Sequence, residues 1–117
     1  MPNFRTLEVW QLSSVISDEV AILVTEIPGG ASGAMGDQMA RSSNSIPRNI
    51  AEGCGYDSDR QLAKYLRQAL GSTDELQNDL NALHRRRLLA PDRVHLIADA
   101  NLLARKLRRF IDRLSGD

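Results

Sequence analysis

Residues 58–83 read SDRQLAKYLRQALGSTDELQNDLNAL, and their spacing decides the fold. Leu62, Leu66, Ala69, Thr73, Leu76, Leu80 and Leu83 alternate steps of four and three without a break. That is the seam of a bundle helix whose apolar stripe lies against other helices. Ser58 and Gln61 open the stretch as a capping box, the hydroxyl accepting from a backbone N–H and the amide reaching back. Gly71 interrupts the pattern, because glycine inside a helix costs about 1 kcal/mol relative to alanine. Between Ala69 and Ser72 it leaves a flat spot, and the expected compensation is close approach of another backbone, within the chain or between subunits.

Working outward, three more helices follow from the apolar spacing. Val9, Leu12, Ile16, Val20, Leu23 and Ile27 predict a helix from Thr6 to Ile27, with Thr6 capping it, Glu8 complementing its dipole and Pro28-Gly29-Gly30 stopping it. Met35, Met39, Ile46 and Ile50 carry a weaker stripe from residue 33 to Gly53. Inside it Pro47 cannot donate to the Ser43 carbonyl, and its ring pushes that turn open. The reading is a helix kinked at Pro47, or two half-helices, with nearby hydroxyl and amide groups satisfying the freed carbonyl. The last helix starts at Pro91, with Leu96, Ala100, Leu103, Leu107, Phe110 and Leu114 as its seam. Ile97, Ala104 and Ile111 add a second apolar face, which predicts two neighbours and suggests a subunit contact. The links at 28–32, 54–57 and 88–90 are short, so neighbouring helices run antiparallel. The expected architecture is all-α, an up-down-up-down antiparallel four-helix bundle forming one domain over residues 1–117.

Composition narrows the function. The 117 residues hold one cysteine, 4% aromatics and 15 bases against 15 acids. A lone thiol excludes an internal disulfide and fits a reducing compartment. No apolar run approaches a membrane span and no signal-peptide layout opens the chain, so a cytoplasmic protein without a membrane partner is expected. The zero net charge hides a polarity. Residues 1–40 carry five acids and one base, whereas residues 84–113 carry nine bases and three acids. Thirteen of the 15 bases are arginine, the residue suited to bidentate phosphate or carboxylate contacts.

Catalytic patterns are missing from the sequence. His84 and His95 lack metal-ligand spacing, Cys54 follows a helix C-terminus where the dipole disfavours a thiolate, and the glycine-rich 29–36 segment lacks a phosphate-loop Lys-Ser/Thr. Asp57 and Asp59 flank a capping serine, where acids belong for dipole reasons. Neither enzyme activity nor a metal or cofactor is expected.

Three segments together resemble one family: Leu7-Glu8-Val9-Trp10, the run from Ser45 to Gly53 (SIPRNIAEG), and the run from Tyr65 to Leu76 (YLRQALGSTDEL). They look like the four helix bundle protein family, which includes proteins encoded within intervening sequences of 23S rRNA genes. It is similar to the accessory variability determinant of diversity-generating retroelements. The resemblance implies a homopentamer with a central channel, and for the accessory determinant a basic surface that binds nucleic acid and a reverse transcriptase. By position, Ser45, Pro47, Asn49, Glu52 and Gly53 match the second-helix motif and Gly71, Ser72 and Glu75 the third, all in structural roles: kink, hydrogen bonds and close packing. The chain departs from the family at Arg48, Cys54 and Tyr56-Asp57, so the family's basic loop between helices 2 and 3 is missing.

Two functions follow as expectations. The first is a non-catalytic homo-oligomer that binds RNA or DNA by its backbone phosphates, through Arg85, Arg86, Arg87, Arg105, Arg108 and Arg109. The second is a protein–protein scaffold in which the acidic first helix meets the basic last helix of a neighbouring subunit, leaving no arginine for nucleic acid.

Overall fold

The computed structural model describes residues 3–116. Four helices account for most of it: α1 (Glu8–Glu26), α2 (Ala34–Cys54), α3 (Asp59–Arg85) and α4 (His95–Leu114). Single 3-10 turns at Phe4–Thr6 and Pro91–Arg93 precede α1 and α4. At 1.5 Å per residue, the 27 residues of α3 span about 40 Å, which sets the long axis of a body measuring 43 × 24 × 21 Å. The expected all-α four-helix bundle is therefore observed.

The α3 seam lies at the centre. All seven of its spacing residues are buried, Leu66, Ala69, Thr73, Leu76 and Leu80 completely. Thr73 fits an apolar row because its hydroxyl donates to the Ala69 carbonyl at 2.8 Å. Ser58 caps α3 as expected, accepting from the Gln61 N–H at 3.1 Å. Val20 and Leu23 of α1, Met39, Ile46 and Ile50 of α2, and Leu96 and Leu103 of α4 complete the core.

Polar pairs set the register. The Gln38 amide donates to both oxygens of Asp79 at 2.9 and 2.8 Å, and the Ser45 and Ser72 hydroxyls bond to each other. Seven residues along α2 thus correspond to seven residues back along α3, which is an antiparallel register. Asp79 is only 3% exposed, and the double contact from Gln38 answers its need for donors. Ser17 donates to Asn44 at 2.6 Å between α1 and α2, and Gln77 to Asn101 at 2.6 Å between α3 and α4. Among the described residues, no buried side-chain nitrogen or oxygen lacks a partner.

Four local expectations need correcting. The first helix starts at Glu8, because Asn3 caps a separate 3-10 turn through the Arg5 N–H and Leu7 then becomes the cap. Pro91 opens a 3-10 turn, and α4 begins only at His95. Pro47 lies within one continuous helix, which corrects the alternative of two half-helices. The nearby polar side chains also go elsewhere than the Ser43 carbonyl: Ser42, Ser43 and Ser45 donate to the carbonyls of Met39, Ala40 and Ser42, and Asn49 to that of Ser45 at 2.8 Å.

The second face of α4 also has an internal explanation. Ala104 and Ile111 are buried and Ile97 is half-buried within the single chain, because α1 and α3 both pack on α4. That face supplies no reason for a subunit contact.

Candidate nucleic-acid interface

The structure first sorts the cations by what they already hold. Glu8 meets Lys106 at 2.7 Å, and Glu19 meets His95 at 2.7 Å. Eleven residues forward on α1 match eleven back on α4, so one antiparallel seam holds both pairs. Arg93 lies at the end of that seam, its Nε and Nη2 donating to the two Glu26 oxygens at 3.0 and 3.1 Å. The hydrogen bonds and charge of Arg93 hold the Glu26 carboxyl below its usual pKa, while Glu26 raises that of Arg93. Acidic α1 and basic α4 therefore complement each other inside one chain, and these pairs do not need the neighbouring subunit of the scaffold reading.

The six arginines expected to contact phosphate divide into two groups. Arg108 faces Asp74 at 3.4 Å, which fixes the level of α4 against α3. Asp74 is eleven residues before Arg85, so the Arg105–Arg109 region and the Arg85–Arg87 region are about 16 Å apart along the bundle. The nine-base stretch is thus two patches rather than one. Arg85, Arg86, Arg87, Arg105 and Arg109 are exposed, and among the described residues none forms an ion pair. Arg109 lines a groove of about 320 Å³ between α1 and α4 with Lys106, Arg113, Phe110, Leu7, Glu8 and Val9.

Arg87 has an unusual backbone. It carries φ +60°, in the left-handed region that disfavours a side chain by about 1–2 kcal/mol. Its N–H reaches the His84 carbonyl at 3.0 Å and the Leu88 N–H reaches that of Leu83 at 2.8 Å. This pair of bonds is a Schellman ending, whose left-handed position normally takes glycine. Arg85 and Arg86 lie where cations complement the helix dipole, a reason for charge that does not explain a strained arginine.

The motif residues take up several kinds of contact. A Cβ on Gly53 would stand 2.9 Å from the Tyr65 Cβ and 3.0 Å from Leu62 Cδ1, so α2 ends close against α3. Ser45 and Ser72 bond to each other. Glu52 and Glu75 are exposed. Gly71 is exposed too, and a Cβ there would meet nothing within 4 Å; close packing inside the chain is not its explanation.

Sequence reasoning missed a third group. Arg60, Lys64 and Arg67 follow steps of four and three along the exposed side of α3 and, with Ser58 and Gln61, line a concavity of about 500 Å³. Tyr56 and Tyr65 stack nearby, centroids 5.3 Å apart and planes 14° from parallel. Their spacing is visible in the sequence, but three bases over residues 60–67 are less dense than the run after residue 84.

Other chemistry is sparse. Burial pushes the Cys54 thiol pKa upward, against nucleophilic use. His84 and His95 are both exposed, and no group of three His, Cys, Asp or Glu suited to a metal occurs among the described residues. No described helix is long and apolar enough to cross a membrane.

Four packed helices with many arginines on their surface define a small all-α bundle protein. The chain belongs to the 23S rRNA-intervening sequence protein family, whose profile matches residues 5–109. It is similar in fold to a crystal structure of a protein of unknown function from the S23 ribosomal protein family of Bacteroides thetaiotaomicron. The two share 22% identity over 89% of this chain and 95% of that one, with a TM-score of 0.79. No curated protein matches the chain.

Proposed function

We propose that the protein is a non-catalytic, homo-oligomeric RNA-binding accessory protein that grips phosphates with Arg85, Arg86 and Arg87. The observation that carries this reading is the left-handed Arg87 within a row of three exposed, ion-pair-free arginines. A glycine would relax that turn, so the arginine side chain is kept at a cost to stability, which fits a functional position. Phosphate binding by arginine forks explains the residue type, and the neutral net charge makes a local patch, repeated by assembly, the source of affinity. Arg105 and Arg109 form the second patch, with Arg108 shared with Asp74.

Assembly has its own support. Val15 and Ile22 are 58% and 51% exposed, and Leu102 is 36% exposed. Val15 and Ile22 fall at helical spacing with Glu8, Glu19 and Glu26, and Leu102 with His95 and Lys106, so all three flank the α1–α4 seam. A second copy covering that seam would remove them from water at roughly 25 cal/mol per Å². The family resemblance implies five copies in a closed ring.

The test is electrophoretic retardation of a structured RNA at low and high salt, comparing wild type with Arg87→Gly. Wild type should bind at low salt and release at high salt. The glycine variant should unfold at higher temperature yet bind more weakly. Absence of retardation at low salt would overturn the RNA reading.

A further inference from the structure

We propose that the α3 entrance, formed by Tyr56, Tyr65, Arg60, Lys64 and Arg67, is a stacking platform for unpaired bases of single-stranded RNA. This rests on the RNA-binding reading and adds which form of RNA this end of the molecule takes. Three features meet there. The tyrosine pair is already organised, its rings stacked and its hydroxyls 3.3 Å apart, and Tyr56 remains 37% exposed. The Lys64 ammonium stands 5.6 Å from the Tyr65 ring centre, and Lys64 also lines the adjoining concavity, so one residue joins the aromatic surface to the cationic one. Arg60 and Arg67 line that concavity on either side of Lys64, exposed and, among the described residues, without an ion pair.

Every base has a π-face, so a ring held flat and half-open accepts a base with little regard to sequence, while cations spaced along a helix follow the backbone phosphates. A paired duplex buries its base faces and leaves phosphates, sugars and groove edges outside. The Arg85–Arg87 patch, at the opposite end of α3 and far from any ring pair, has the chemistry for the latter. The two ends of one helix therefore divide the work: unpaired bases at the start, phosphates of folded RNA at the end.

The experiment is fluorescence anisotropy with labelled oligouridylate and with a blunt RNA duplex, using wild type, Tyr56→Ala, Tyr56→Phe and Arg67→Gln. Tyr56→Ala should weaken oligouridylate binding about 5- to 100-fold and leave the duplex unchanged. Tyr56→Phe keeps the stacked ring and should bind as wild type, which guards against a folding defect. Arg67→Gln should lower the salt slope for the single strand by about 0.7. If wild type binds both RNAs and Tyr56→Ala binds oligouridylate equally well, the platform is refuted while RNA binding stands. If wild type binds neither at low salt, the functional reading itself has failed. Duplex binding with no single-strand binding would likewise refute the platform alone.

Discussion

Two glycines and one arginine show how differently a single position is constrained. Gly53 is held by a neighbour: a methyl group there would press on Tyr65 and Leu62 of α3. Gly53→Ala should lower stability by about 1–3 kcal/mol, the usual range for overpacking, as a fall in the thermal midpoint. Gly71 has open space around it, so Gly71→Ala should stabilise the subunit by about 1 kcal/mol. If another copy approaches that flat spot, the same change should lower the solution mass measured by light scattering; an unchanged mass would mark Gly71 as a tolerated defect. The sequence suggested that Gly71 was packed, since composition around it says small and apolar but not which way it faces. Arg87 was recognisable as a base but not as a strained one, because the left-handed position that usually announces itself with glycine is filled by arginine.

At the level of the helix, periodicity carried the reading well where burial is one-sided. The α3 seam emerged complete, since six uninterrupted steps leave a single face that water must not reach. Ends were harder, because Asn3 and Pro91 start separate 3-10 turns whose bonds are local and leave no periodic trace. The charge polarity was legible, but its partner was not: a count along the chain is blind to the register that sets Glu8 beside Lys106 and Glu19 beside His95. That seam has a definite pH response at Glu26. Its carboxyl pKa is lowered from 4.5 by Arg93, so the folded state favours the ionised form. The contribution is present above pH 4.5 and is lost as pH falls through the lowered value. The thermal midpoint of wild type should exceed that of Glu26→Gln at pH 7, and the gap should shrink as the pH falls below 4.5 and the Glu26 carboxylate is protonated. A gap that persists in acid would mean that the Glu26–Arg93 charge pair is not the cause.

For the molecule as a whole, the bundle was readable from its short links and seams, whereas the surface needed the third dimension. The run of bases after residue 84 looks continuous in sequence, yet the antiparallel return of α4 carries Arg105–Arg109 about 16 Å away from Arg85–Arg87. The same folding leaves Val15, Ile22 and Leu102 along one seam, and a molar mass several times 13.0 kDa is the expected light-scattering result. The most direct test of phosphate gripping is the salt dependence of affinity for a structured RNA, wild type against Arg85→Ala/Arg86→Ala/Arg87→Ala. Each lost duplex phosphate contact should reduce the logarithmic slope by about 0.9, so the triple variant should show a slope shallower by about two to three. Superimposable slopes for the two proteins would contradict the account.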